Sequence, residues 1–278
     1  MARYGIKTAP QHGTWEAMAA VWQAADDIEV FDSAWNFDHF YPIFSDSSGP
    51  CLEGWTMLAA MAARTRRIRI GCQVTGMIYR HPAVLANMAA TVDVISGGRL
   101  DLGLGAGWNQ EECDAYGIPL PPLRERFDRF DEGVETIVRL LTDTTTTFDG
   151  RHVKLTEARC EPKPVQRPHP PIVIGGGGRT RTLRTAARWA QQWNIPTARG
   201  IDEWRELRAV LDAHCEDVGR EPSEIESSIN VRFDPTRGAG DAVEQAHAFA
   251  EAGIDLIIFA VPPPFEPAAV EQLATALG

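Results

Sequence analysis

The segment IGCQVTGMIYRHPAVLANMAATVDVISGGRLDLGLGAGW, residues 70–108, holds two strand patterns with a helix pattern between them. Residues 67–75 are rich in β-branched side chains, which is typical of a strand. Pro82 suits the first position of a helix, which we predict over 82–95. Residues 99–104 then predict the next strand. A strand, a helix and a strand in this order indicate a parallel sheet.

The same alternation continues in both directions along the chain. Strands are predicted over 3–8, 30–36, 67–75, 99–104, 171–175, 192–195, 225–233 and 256–260, and helices over 15–27, 52–63, 82–95, 124–141, 180–190, 201–218, 242–252 and 268–277. Asp149-Gly150 predicts a hairpin turn within 144–155, and the Pro-rich stretch 160–171 predicts a loop. Eight β/α pairs in one chain predict a single-domain (β/α)8 TIM-type barrel over 1–278, with a short insertion before strand five. The alternative, an open doubly wound sheet, rarely needs eight units.

The composition limits the partners. The chain has 278 residues and a net charge of −11, with 44% hydrophobic and 23% charged residues. An acidic chain lacks the basic surface that nucleic acid or an anionic membrane requires, so we expect neither as a partner. A small-molecule substrate and an anionic cofactor remain compatible with this charge, provided that basic groups or backbone amides gather locally.

The cysteines and the chain start indicate a cellular location. The five cysteines are odd in number and contain no C-x-x-C, so a disulfide framework or a zinc site is not expected. No H-E-x-x-H sequence is present, and we predict no metal site. The first twenty residues lack the apolar core of a signal peptide, and no apolar run is long enough to span a bilayer. We therefore expect a cytoplasmic protein.

The active site of a (β/α)8 barrel lies at the carboxyl ends of its strands. Four segments follow predicted strand ends and combine glycine, polar or aromatic residues: NFDHF at 36–40, GCQVTG at 71–76, GLGAGW at 103–108 and GGGGRT at 175–180. We expect the site residues in these segments.

A run of four glycines connects the fifth predicted strand to its helix; its members are Gly175, Gly176, Gly177 and Gly178. Such a turn can present backbone amides to a phosphate, and Arg179 and Arg181 add positive charge beside it. The alternative is a flexible turn, although four consecutive glycines lose much backbone entropy on ordering. No Gly-Lys-Ser/Thr follows, so the turn is not a P-loop.

Two further segments are candidate site elements. Gly105, Ala106 and Gly107 are small enough to let a flat cofactor ring lie against the backbone, although a tight turn with strand packing explains them equally well. Asp38 and His39 form an acid–histidine pair beside a strand end. A carboxylate can fix the tautomer of a histidine that relays a proton near neutral pH. The alternative is an ordinary loop histidine.

These stretches occur together in a known family. FDSAWNFDHF at 31–40, the segment 70–112, FDRFDEGVETIVRLL at 127–141 and the matching positions of 162–194 resemble the luciferase-like flavin and deazaflavin oxidoreductases, and within them the coenzyme F420-dependent branch. The resemblance covers most of residues 1–195. Beyond that point only the β/α rhythm matches.

The resemblance implies a homodimeric TIM-type barrel that binds F420 or FMN at the strand ends. It implies hydride transfer between deazaflavin C5 and a small organic substrate, with Asp38 and His39 near the reactive carbon and His39 handling a proton. A non-prolyl cis peptide is implied at Cys72–Gln73. The implied cofactor contacts are Asp38, Cys72, Gln73, Val74, Thr75, Gly105, Ala106 and Gly107, with the four glycines of the turn at the phosphate-bearing side chain.

The sequence departs from the F420-dependent sugar-phosphate dehydrogenases at two positions. Ile43 stands where those enzymes carry a tryptophan, and Trp108 stands where they carry a glutamate. Sugar-phosphate oxidation is therefore not expected. Glu111 and Glu112, a turn onward, are candidate replacements for the missing acid.

Two other functions remain open at this point. One is an FMN-dependent luciferase-like monooxygenase, and the other is a flavin-binding barrel without catalysis. The charges of Arg179 and Arg181 favour F420 over FMN, because F420 has a polyanionic tail.

Overall fold

A parallel barrel forms the centre of the computed structural model, which describes residues 2–195 and 200–278. Its strands are β1 (Arg3–Thr8), β2 (Phe31–Asn36), β3 (Arg69–Cys72), β4 (Thr75–Gly76), β5 (Leu100–Gly105), β8 (Ile172–Gly175), β9 (Gln192–Ile195), β10 (Glu226–Arg232) and β11 (Leu256–Val261). The strands pair in the order β1-β2-β3-β5-β8-β9-β10-β11, and β11 pairs with β1, so the sheet closes. Because β3 and β4 are two halves of one strand, the predicted eight-stranded barrel is confirmed.

Helices alternate with these strands. They are α1 (Trp15–Asp27), α2 (Gly54–Arg64), α3 (Pro82–Ser96), α4 (Gln110–Tyr116), α5 (Leu123–Thr142), α6 (Thr182–Trp189), α7 (Ile201–Val218), α8 (Gly240–Ala252) and α9 (Pro267–Leu277). Pro82 is the first residue of α3 as predicted, and Gly97 ends that helix in the left-handed conformation. No helix within the described residues is long and apolar enough to cross a membrane.

Helix α4 was not predicted from the sequence. Asn109 caps it by accepting a hydrogen bond from the Glu112 amide, and Gly117 ends it with a φ of 65°. The capping asparagine, the acidic first turn and the terminal glycine are all readable signals. The helix is only seven residues long and carries no apolar stripe, so the periodicity that revealed the other helices is missing.

The insertion before the fifth barrel strand forms the predicted hairpin. Its strands are β6 (Thr146–Asp149) and β7 (Lys154–Ala158), which pair in antiparallel fashion. The Glu132 carboxylate on α5 accepts hydrogen bonds from the amides of residues 151–153, at 2.8–3.0 Å. These bonds attach the hairpin to the barrel.

The predicted third strand is interrupted at a bulge. The non-prolyl cis peptide lies at Gln73–Val74, so the implied position, Cys72–Gln73, was wrong by one residue. The Gln73 amide still donates to the Asn36 carbonyl oxygen at 2.9 Å, which keeps the Cys72–Gln73 peptide in the ladder with β2. The chain therefore leaves the ladder only after Gln73, and it rejoins at β4.

Candidate cofactor cavity and active site

A cavity of about 480 Å³ opens at the carboxyl ends of the barrel strands, where the sequence placed the site. Eight of the predicted site residues line it: His39, Gln73, Val74, Gly105, Ala106, Gly107, Gly175 and Gly176. The wall also includes Trp108, at the position of the family glutamate, and four residues that were not predicted: Lys7, Phe44, Tyr79 and Arg126.

The other predicted residues do not line this cavity. Asp38, Cys72 and Thr75 are fully buried behind the wall, where the Thr75 hydroxyl accepts a hydrogen bond from Trp55 Nε1 at 2.6 Å. Gly177 and Gly178 are exposed on the turn that follows β8. The wall and the turn can thus serve different parts of one ligand.

The small residues around the bulge are explained by protein packing. A Cβ atom on Gly105 would lie 2.7 Å from Val74 Cγ2, and one on Gly175 would lie 2.8 Å from Val74 Cγ1. Neither distance is compatible with van der Waals contact, so both glycines make room for the bulge. The explanation by strand packing is therefore sufficient for Gly105 and Gly175, and their smallness is not evidence for a cofactor ring.

His39 is held by a glutamate from α4. Its Nδ1 lies 2.8 Å from Glu112 Oε2, and the same fully buried carboxylate accepts hydrogen bonds from the Tyr79 hydroxyl and the Phe40 amide. Burial opposes ionisation of Glu112, but these three hydrogen bonds outweigh it and hold the pKa of the carboxyl below its usual range. An ionised Glu112 fixes the proton on Nδ1 and leaves His39 Nε2 as the basic ring atom.

Asp38 does not orient His39, contrary to the prediction. Its carboxylate forms a two-point ion pair with the Arg80 guanidinium, which also pairs with Glu53. Adjacent residues on an extended segment point in opposite directions, so His39 reaches the cavity while Asp38 faces the protein interior. The acid that contacts the histidine is 73 residues further along the chain.

Lys7 is a residue of the wall that was not predicted from the sequence. It lies near the end of β1, and its Nζ donates to the Gln73 carbonyl oxygen at 3.0 Å. Burial lowers the pKa of Lys7 to about 8, partly offset by interaction with the Cys72 thiol. The readable signal was a lysine close to the carboxyl end of a predicted strand, where side chains of a barrel face the site.

The glycine turn offers unpaired amides without the positive charge that the sequence predicted. Within residues 2–195 and 200–278, the amides of residues 177–180 donate no hydrogen bond. Arg179, however, pairs with Glu206 at 2.7 Å, and Arg181 pairs with both Asp128 and Asp131 at 2.8 Å. The expected basic flank is therefore neutralised, because acidic residues from α5 and α7 face both arginines.

Aromatic side chains form the cavity mouth. Phe44 and Trp108 stack with ring centroids 5.4 Å apart and an interplanar angle of 5°, and they are 89% and 51% exposed. The Trp108 ring also approaches His39 edge-on at 5.6 Å. Trp108, which stands at the position of the family glutamate, thus places an apolar ring beside His39 instead of an acid. No group of three or more His, Cys, Asp or Glu residues in the described chain is arranged to hold a metal.

Comparison with known proteins agrees with the fold. An uncharacterized protein of Mycobacterium tuberculosis is 31% identical over 228 residues, which cover 80% of this chain and 76% of that protein. An F420-dependent glucose-6-phosphate dehydrogenase of Kineococcus radiotolerans is 32% identical over 222 residues, 79% of this chain and 64% of that enzyme. The fold resembles that of an F420-dependent secondary alcohol dehydrogenase solved with an F420-acetone adduct, with a TM-score of 0.86 and 19% identity over 100% of this chain and 99% of that one.

The family follows from a match along nearly the whole chain. Residues 2–276 match the sequence profile described as luciferase-like monooxygenase. This range includes all eight barrel strands, the bulge, His39 and the glycine turn. The chain therefore belongs to the luciferase-like monooxygenase family.

Proposed function

We propose that this protein is an F420-dependent oxidoreductase that transfers a hydride between the cofactor and a small organic substrate. The observation that carries the proposal is the His39–Glu112 pair on the wall of a cavity at the strand ends. The relatives named F420-dependent dehydrogenases support the choice of cofactor. A glutamate-held histidine is a suitable proton donor or acceptor for a substrate whose oxidation state changes by a hydride.

The residues present fit the proposed cofactor. Gln73 lines the cavity, and its buried Nε2 has no hydrogen-bond partner in the described part of the chain, so it can donate to a ring oxygen or nitrogen. The unpaired amides of residues 177–180 can bind a phosphate. Among the described residues, Arg126 donates only to the backbone carbonyl oxygens of Pro121 and Gly107, so its charge is available to an anionic ligand. F420 itself supplies the hydride-carrying carbon, C5, when bound.

The residues around His39 then have distinct roles in the proposed reaction. The Nε2 atom of His39 takes a proton from a substrate hydroxyl or returns one to it. Glu112 holds the imidazole ring in place and stabilises its protonated form. Trp108 packs against the His39 ring and stacks on Phe44, which limits access of water to this ring. Because Trp108 has no ionisable group, we do not propose the acid chemistry of the sugar-phosphate dehydrogenases for this site.

An FMN-dependent monooxygenase is the second candidate. Neutralisation of Arg179 and Arg181 by acidic partners favours it, because neither of these arginines then offers a free charge to a polyanionic tail. The unpaired amides of the turn suit the phosphate of either cofactor. The choice between the two is therefore a question for direct binding.

The test is a titration of the purified protein with F420 and with FMN, followed by fluorescence. We expect F420 to bind more tightly. Gly177→Asp is expected to weaken F420 binding at least tenfold, because a carboxylate would repel the phosphate at the turn, whereas Gly240→Ala should not. Tighter binding of FMN would contradict the cofactor assignment, and normal F420 binding by Gly177→Asp would limit the turn to a structural role.

A further inference from the structure

A second cavity lies beside the candidate cofactor cavity. It has a volume of about 730 Å³ and is formed at the carboxyl ends of β1, β10 and β11 with the loops that follow them. Lys7 lies on the wall of both cavities. A ligand whose reacting carbon lies in the first cavity can therefore extend past Lys7 into the second.

Two cationic side chains stand at the same level of this second cavity. Lys7 on β1 and Arg232 on β10 are both in register with Ala260 of the intervening strand β11. Neighbouring strands are about 4.8 Å apart, which separates the two backbones by about 10 Å. The small Ala260 side chain leaves the space between them open, so a lysine and an arginine can reach one ligand group from both sides.

Both charges are available to a ligand. Arg232 is exposed, and within the described part of the chain it makes no ion pair or hydrogen bond. Over residues 2–195 and 200–278, Lys7 donates only to Gln73, at 3.0 Å to the backbone oxygen and 3.4 Å to Oε1, and neither is a charged group. Because burial lowers its pKa only to about 8, Lys7 is predominantly protonated at neutral pH.

The acidic residues of the second cavity already have partners. Asp241 pairs with Arg237 at 3.3 Å, and Asp234 accepts hydrogen bonds from the amide and hydroxyl of Thr236 at 3.0 and 2.7 Å. Asn230 lies two residues before Arg232, on the same side of β10. Its buried Oδ1 has no hydrogen-bond partner among residues 2–195 and 200–278, so it can accept from a ligand hydroxyl.

We propose that the second cavity binds the substrate through an oxyanion group, a carboxylate or a phosphate monoester, held between Lys7 and Arg232. A hydroxyl near that group donates to Asn230. The role as substrate rests on the proposed function, whereas the anion site does not. With the reacting carbon in the first cavity, the substrate class is that of hydroxy or oxo acids and their phosphorylated counterparts.

Calorimetry on the full chain without cofactor tests the anion site, with hexanoate, inorganic phosphate and uncharged hexanol as probes. We expect at least one anion to bind more tightly than hexanol, and the tighter anion identifies the group. Arg232→Gln should raise its Kd about tenfold or more, because a charge-assisted hydrogen bond is lost. Arg66→Gln is the control: Arg66 is paired with Asp27 at 2.8 Å and lines neither cavity, so its change should alter Kd less than twofold.

Three results would overturn the site: no anion binding, hexanol binding as tightly as both anions, or equal effects of Arg232→Gln and Arg66→Gln. Lys7→Met, checked for folding by circular dichroism, should weaken binding of the same anion that Arg232→Gln affects. Unchanged binding would show that Lys7 is not part of the site.

A parallel F420 titration separates this proposal from the cofactor assignment. Arg232→Gln should bind F420 within twofold of the wild type, because Arg232 lies outside the first cavity. If the variant loses F420 binding, Arg232 belongs to the cofactor site, and the assignment of the second cavity to the substrate is wrong. If the wild type binds an anion through Arg232 but does not bind F420, the cofactor assignment fails while the anion site stands.

Discussion

His39 is the residue on which the proposed proton transfer depends. His39→Ala should lower turnover by about 10²–10⁴-fold, the usual contribution of a general acid or base, and leave the Kd for F420 within a few-fold. The measurement is steady-state reduction of an activated enone with reduced F420 as the hydride donor. Near-wild-type turnover across neutral pH would mean that solvent or another residue supplies the proton.

Glu112 is expected to act through His39. Glu112→Gln keeps the size of the side chain but removes the charge that stabilises a protonated imidazole, so turnover should fall by about tenfold or more. Combined with His39→Ala it should cause little additional loss, because one proton path cannot be lost twice. If the losses of turnover add up in the double variant, Glu112 acts independently of His39. Asp38→Asn is the contrasting variant, because it disrupts an ion pair with Arg80 instead.

At the residue scale the sequence revealed the histidine, and it marked Glu112 only as a candidate replacement for the family acid, not as the partner of His39. His39 follows a strand end, which is a local signal. Glu112 reaches it from 73 residues away, through a seven-residue helix that has no periodic apolar pattern. The ion pairs of Arg179 and Arg181 were not predicted for the same reason, because their partners are also distant in sequence. Their charges are visible in the sequence, but the acids that neutralise them come from other helices.

Among the elements, the bulge between β3 and β4 is tested by its contact with the next strands. Gly175→Ala should destabilise the protein by roughly 1–3 kcal/mol, because the added Cβ would lie 2.8 Å from Val74 Cγ1. Val74→Ala in the same chain should recover part of that loss by removing the opposing methyl groups. Denaturant unfolding measures both effects.

Gly240 is the matched control for this pair. It begins α8, and a Cβ there would meet nothing within 4 Å, so Gly240→Ala should be neutral or slightly stabilising. If Gly175→Ala is as neutral as Gly240→Ala, the close contact with Val74 does not constrain the barrel.

The elements themselves were largely predictable. Several boundaries, such as those of β1, α1 and α7, agree with the predicted ranges, because alternating β and α patterns are local properties of the chain. The break in the third strand was not visible as a pattern, since residues 67–75 read as one continuous strand. Only the resemblance implied a break there, and the ladder bond from Gln73 to Asn36 sets its true position.

At the scale of the whole molecule, the resemblance implies a homodimer, and α3 offers a surface for it. Val84, Val94 and Ile95 on this helix are 55%, 42% and 45% exposed and share its outward face with Asn87 and Thr91. The helix is bordered by α2 and α5, which leaves that face open. A two-fold dimer uses the same patch on both subunits, so one apolar helix face can supply both halves of the interface.

We therefore expect the wild-type protein to sediment at twice the chain mass of 30.6 kDa. A charged double variant, Val84→Glu with Ile95→Glu, should sediment as a monomer, because like charges would meet across the two-fold axis without partners. Val218→Glu is the matched control: Val218 is 42% exposed at the end of α7, away from α3, and its change should leave the dimer intact. A monomeric wild type would contradict the homodimer itself. A dimer that survives the α3 double variant would place the interface on another face of the barrel.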